Sequence, residues 1–215
     1  FQNCLNLTSI KFGNFNATKV KKMSEMFSNC KSLTSLNLTS FNFLNVLDMS
    51  LMFKNCRLLL SIEGDIITQN VEKIDSIFYG CNSLTSIDLS KLGTKNLVST
   101  NYTFFNCKNL KFLDLNSMNL DNVTSMKGMF AGCNSLTSVD LSILSAKKIT
   151  IMNEMFKGCY NLTILNFTGF DLDLVSSMDS IFINADKLDG YHASDFLLTN
   201  NLKAEFNKFP KFVDA

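Results

Sequence analysis

A chain of 215 residues, 46% apolar and only 18% charged, has enough material for a packed core and is no disordered tail. Twenty Lys and Arg against nineteen Asp and Glu leave a net charge of +1, so no global field draws the chain to nucleic acid or anionic lipid. One His and no Trp leave little for acid–base chemistry, and no apolar run reaches the roughly 18 residues of a membrane span.

Along the chain the cysteines set the frame. They stand at Cys4, Cys30, Cys56, Cys81, Cys107, Cys133 and Cys159, with gaps of 26, 26, 25, 26, 26 and 26 residues. One more step of 26 lands on Ala185, where the surrounding pattern persists. A fixed period in the twenties marks a solenoid, whose repeats bury their apolar faces only against one another.

Each copy begins with Phe three residues before the Cys (Phe1, Phe27, Phe53, Phe78, Phe104, Phe130, Phe156, Phe182) and continues with Leu three residues after it. Apolar residues spaced by two follow, as in Leu36 and Leu38 or Val139 and Leu141, which predicts a short strand with one buried face. The return path carries Met-x-x-Met-Phe-x-x-Cys; Met23, Met26, Phe27 and Cys30 fall at i, i+3, i+4 and i+7, which predicts a short helix. Asn or Gly precedes every Cys, so a left-handed cap is expected there. The expectation is an α/β repeat solenoid of about eight 26-residue coils over residues 1–188. A parallel β-sheet forms one face and short helices the other, and residues 189–215 make a degenerate last repeat and C-terminal cap.

The strings Met23-Ser-Glu-Met-Phe-Ser-Asn-Cys30-Lys-Ser-Leu-Thr-Ser-Leu-Asn-Leu38 and Asn122-Val-Thr-Ser-Met-Lys-Gly-Met-Phe-Ala-Gly-Cys133-Asn-Ser-Leu-Thr-Ser-Val-Asp-Leu-Ser142 resemble the BspA-like leucine-rich repeats of bacterial and protist surface proteins. The resemblance implies a leucine-rich-repeat-like stack on a secreted or cell-surface protein, extracellular in location, and is often linked with adhesion. The chain departs from the pattern at the third repeat, one residue short with Gly64 in a strand core position, and at the fourth, where Thr100 and Thr103 replace the paired Met.

Three sets of residues are candidates for chemistry. The cysteines lack the close pairs of a zinc site, and an odd number with a neighbour on each side cannot bridge at every step, so they read as a ladder of buried free thiols. No metal or other cofactor is expected. The outward strand column places Glu63, Asp88, Asp114 and Asp140 about 5 Å apart, an acidic stripe that binds a cation or basic partner, or that simply solvates an open face. Stacked like charges there are expected to raise carboxylate pKa values. Phe112 and Ile164 stand at an outward strand site where most copies carry Ser, and with the four carboxylates they make the candidate binding face. His192 reads as a solvated surface residue of the degenerate last repeat.

The third set is asparagine, 26 residues in all. N-x-Thr sequons stand at Asn6, Asn16, Asn37, Asn101, Asn122, Asn161 and Asn166, so N-glycans are expected if the chain passes through a eukaryotic secretory route. Asn37 and Asn166 would put them on the sheet face, Asn101 and Asn122 on the return side. The repeat itself plants Thr at fixed offsets, so these sites are not independent of one another.

No nucleophile, base and orienting group recur together, so no enzyme is expected. The expected function is an extracellular adhesion or binding module whose sheet face takes a protein or carbohydrate ligand. The alternative is a structural subunit of a surface fibre or coat, self-associating through the solenoid ends. Phe1 stands mid-repeat, so the chain is expected either to lack its natural first residues or to dock by that open end on another copy.

Overall fold

The computed structural model describes residues 1–13, 17–39, 41, 43–64, 66, 68, 70–167, 170–188 and, by backbone alone, 190–192. The remainder of the expected cap lies outside the described residues. The chain forms a repeat solenoid whose axis is the phenylalanine column. Phe1, Phe27, Phe53, Phe78, Phe104, Phe130, Phe156 and Phe182 stack ring on ring with centroids 5.5 to 5.9 Å apart. All but the terminal Phe1 are buried. Burying one such ring stabilises by roughly 1.5–3 kcal/mol on transfer grounds, so the column is a major apolar contribution to the fold. The Leu column from Leu33 to Leu188 and the column Met23, Met49, Ile74, Thr100, Met126, Met152 and Met178 are buried beside it.

On one face run five three-residue strands: β1 (Ser35–Asn37), β2 (Ser61–Glu63), β3 (Ser138–Asp140), β4 (Ile164–Asn166) and β5 (Gly190–His192). Each pair is parallel and in register, so Ser35, Leu36 and Asn37 face Ser61, Ile62 and Glu63. Likewise Val139 faces Leu165 and Asn166 faces His192. The expected single sheet is corrected: β1–β2 and β3–β4–β5 are separate, and the strand positions 86–88 and 112–114 between them are not strands.

The bridge ladder on the return side breaks at the same level. It links Lys22, Asp48 and Lys73, then resumes at Ser99 through Ser125 and Ile151 to Ser177. Both interruptions follow the one coil that is a residue short. There Gly64 takes φ +90, and a Cβ at that position would lie 2.6 Å from the Thr39 backbone nitrogen, so only glycine fits. Asp75 splices the gap: its carboxylate accepts from the Asn101 amide at 2.7 Å and from Ser99 Oγ at 2.7 and 2.9 Å.

The expected helices are also corrected. No helix occurs among the described residues; the Met-x-x-Met-Phe-x-x-Cys stretch is a run of tight turns. Within the coil Met26 N–H donates to Met23 O, Ser28 to Glu25 O and Cys30 to Phe27 O. Glu25 and Asn29 take φ of 60°, the third-position signature of a type II turn. The alternate amides of Met23, Glu25, Phe27 and Asn29 point along the stack to the carbonyls of Asp48, Ser50, Met52 and Lys54. Strands repeat every 4.8 Å or so, whereas helices need about 10 Å, so a stack of turns matches the sheet's rise where a stack of helices would splay it. A turn run and a helix share the inward spacing 3, 1, 3, which is why the sequence pattern fits both. Positive φ does fall before every Cys, at Asn3, Asn29, Asn55, Gly80, Asn106, Gly132 and Gly158, and before Ala185 at Asn184.

The two threonines of the fourth repeat are buried and satisfied. Thr103 Oγ1 donates to Thr100 O at 2.9 Å, and Thr100 Oγ1 faces Met129 Sδ at 3.6 Å.

Candidate functional site

Beside the missing strand at 112–114 and along β3 and β4, the polar face carries apolar residues. Phe112 is 60% exposed, Ile164 55% and Ile143 43%. They line one depression of about 380 Å³ together with Asp114, Asp140, Asn116 and Asn166. Leu113, Leu115 and Val139 form its floor from the buried core. Four of the six residues expected on a binding face, Phe112, Asp114, Asp140 and Ile164, are thus brought together. Glu63 and Asp88 are not among its lining residues; Glu63 instead accepts from Asn37 Nδ2 at 2.9 Å. Ile143, one turn beyond Asp140, was missed because the loop after each strand varies in the sequence and offers no fixed column to break.

The acidic column first serves the chain. Its three aspartates each turn the backbone after the outward strand position by accepting an amide two residues on. Asp88 accepts from Ser90 at 2.7 Å, Asp114 from Asn116 at 2.9 Å and Asp140 from Ser142 at 2.9 Å. Asn37 does the same for Thr39 at 3.0 Å. These are Asx turns, which need an oxygen acceptor and no ligand. The expected rise in carboxylate pKa is corrected at Asp88: the Ser90 amide and hydroxyl hold it below the usual range. Among the described residues no group of three or more His, Cys, Asp or Glu is placed to hold a metal ion.

The cysteine column is a hydrogen-bond ladder. Cys30, Cys56, Cys81, Cys107, Cys133 and Cys159 are buried free thiols, while Cys4 is exposed. Their S–H groups donate to Phe1, Phe27, Phe53, Phe78, Phe104 and Phe130 carbonyls at 3.1 to 3.2 Å. Burial pushes Cys56 and Cys159 up to about 12 and raises Cys30, Cys81, Cys107 and Cys133 as well. The neutral thiols are therefore poor nucleophiles and poor metal ligands.

The sequon asparagines are also drawn into the stack. Asn122 Nδ2 donates to Lys95 O at 3.0 Å and Asn161 Nδ2 to Asn134 O at 2.7 Å. Asn166 Nδ2 donates to Ser142 Oγ at 3.2 Å, and Asn37 is tied to Glu63. Asn101 accepts from Ser125 Oγ and the Lys127 amide. Asn6 is exposed, and Asn16 lies outside the described residues.

A family model described as "Mycoplasma protein of unknown function, DUF285" matches residues 1–91 and 72–196. The chain belongs to the DUF285 family. That family carries no BspA name, and no curated protein matches the chain. Solved structures similar to this DUF285 chain include a leucine-rich repeat protein from Bacteroides ovatus, 19% identical with a TM-score of 0.45, covering 87% of this chain. The DUF285 chain spans 61% of that protein's length. A leucine rich cell surface protein from Faecalibacterium prausnitzii is 16% identical over 95% of this chain and 77% of its own, at a TM-score of 0.38. A leucine rich repeat protein of T. pallidum is 16% identical over 88% of this chain and 76% of its own, at 0.36.

Proposed function

We propose that this solenoid is a non-catalytic binding module that takes an apolar, basic segment of a protein partner in the depression around Phe112, at the cell surface or outside the cell. The observation that carries the reading is the gathering of Phe112, Ile143 and Ile164, each well exposed, where Ser9, Ser35, Ser61, Ser86 and Ser138 occupy the Phe112 and Ile164 position in the other Cys-bearing copies. An aromatic ring and two branched aliphatic chains offer apolar contact with little rotamer entropy to lose. Asp114 and Asp140 rim the depression, and among the described residues no Lys or Arg lines it, so a cationic partner is favoured over an anionic one. Surface location rests on the resemblance of the repeat strings to BspA-like proteins. The non-catalytic reading is supported by the aspartates of the outward column and the six buried thiols, which hydrogen-bond within the stack. Calorimetric titration of an alternating leucine–lysine peptide onto the wild type and onto a Phe112→Ser, Ile164→Ser double variant tests the reading.

A further inference from the structure

A second depression, of about 350 Å³, shares no residue with the first. It opens on the column that stands two residues before each Cys. Over successive coils this column reads Lys54, Tyr79, Phe105, Ala131 and Lys157. Backbone bonds fix its members one coil apart. The amides of Asn55, Gly80, Asn106 and Gly132 donate to the carbonyls of Tyr79, Phe105, Ala131 and Lys157 at 2.6 to 2.7 Å.

At one end the column is filled. The Lys54 ammonium lies 5.4 Å from the Tyr79 ring centroid, a cation–π contact. Tyr79 in turn stacks on Phe105, with centroids 4.5 Å and planes 16° apart. Tyr102 meets Phe105 edge to face at 5.6 Å, and among the described residues no second ring stacks on Phe105. At the next position stands only the Ala131 methyl, buried at the floor of the depression that Phe105 and Lys157 also line. Phe105 and Lys157 are two rises of about 4.8 Å apart along the stack. The ring-to-ring and ring-to-ammonium separations of the filled end together span about that interval, so one further ring fits between them. Lys108 lines the same depression and makes no ion pair among the described residues, whereas Lys157 meets Glu154 at 3.7 Å.

We propose that this gap takes an aromatic side chain carried on an acidic segment of a protein partner. The inserted ring continues the stack on Phe105, and Lys157 takes over it the place that Lys54 takes over Tyr79. A carboxylate beside the ring in the partner's sequence pairs with Lys108, the cation left unpaired. A nucleotide also brings a planar ring, but its phosphate carries more charge than one unpaired lysine offsets, and Glu154 in the lining repels it. An aliphatic side chain has no flat face for either Phe105 or Lys157. The sheet-face depression favours a cationic segment, so the two surfaces call for partners of opposite charge.

The chain has no Trp, so the indole of a bound peptide reports without background. The test titrates the intact chain into a short end-blocked peptide of Glu and Ser with one central Trp, read by its fluorescence. Three competitors serve as comparison probes: the peptide with Leu for Trp, the peptide with Lys for Glu, and adenosine monophosphate. The expected result is a saturable blue shift, with each competitor binding at least tenfold more weakly. Ala131→Phe fills the gap with a ring that the column already accepts at Phe105, and loses binding at least tenfold. Lys157→Gln weakens binding severalfold with an unchanged urea midpoint, because its contact with Glu154 is an exposed pair. The Phe112→Ser, Ile164→Ser double variant binds the Trp peptide as the wild type does. No shift in the wild type, equal binding of any competitor, or undiminished binding by either Ala131→Phe or Lys157→Gln would overturn the proposal. So would loss of binding in the double variant, which would move the contact to the sheet face.

Discussion

The Cys107 thiol donates to the Phe78 carbonyl across 3.1 Å, and the same oxygen accepts the Cys81 amide at 3.1 Å. One lone pair closes a turn within the coil and the other ties the next coil to it. Truncation to Cys107→Ala removes the second donor and leaves a small void in a fully buried site. The expected loss is about 1–2 kcal/mol, read as a lower urea midpoint. An unchanged midpoint would mean that the thiol only fills space.

The same thiols make stability sensitive to alkali. The unfolded chain releases its thiol protons near pH 8.5 or so, whereas Cys56 and Cys159 in the folded chain hold theirs to about 12. Between those values the unfolded state binds fewer protons, so stability is complete below the lower value and declines as pH rises toward the upper one. Urea midpoints between pH 7 and 11 check this, and a flat profile contradicts it. At pH 8 native alkylation should mark Cys4 alone, the exposed member of the seven.

Gly64→Ala places a methyl 2.6 Å from the Thr39 backbone nitrogen at φ +90. Backbone must move, so the expected cost is about 2–3 kcal/mol or more. Gly13→Ala, also at positive φ but with nothing among the described residues within 4 Å, costs less. Equal midpoints for the two variants would remove the close approach at Gly64 from the account.

Asp75→Ala removes the acceptor that joins Ser99 Oγ and the Asn101 amide across the break in both ladders. Losing these charge-assisted bonds should cost about 2 kcal/mol. Hydrogen exchange should quicken first at Asn101, whose amide donates directly to Asp75. Slow exchange there in the variant would show that packing alone holds the join.

The repeat, its parallel register and the Phe, Leu and Met columns were legible because each copy restates the same spacing. The return side was misread because Met23, Met26, Phe27 and Cys30 satisfy a helical stripe and a run of turns alike. One residue argued against the helix: Gly128, in the middle of the stretch, takes φ +57 beneath the Tyr102 ring. The acidic column was legible as outward-facing, yet its Asx turns were not, because turn geometry depends on the strand ending there. Phe112 and Ile164 stood out as breaks in a column of Ser. Their meeting with Ile143 needed the three-dimensional stack. The ring-sized gap at Ala131 was invisible in one dimension, since its column reads Lys, Tyr, Phe, Ala and Lys and has no fixed residue to break.

Calorimetric titration of the leucine–lysine peptide onto the intact chain tests most directly whether the Phe112 depression is the module's contact surface. A leucine–glutamate peptide of the same length serves as the control. The first should bind saturably, weakened by salt because Asp114 and Asp140 rim the depression, and the second at least tenfold more weakly. Phe112→Ser with Ile164→Ser should abolish it without moving the urea midpoint, since both side chains are exposed. Equal binding of the two peptides, or undiminished binding by the double variant, would contradict the claim that this depression is the module's contact surface.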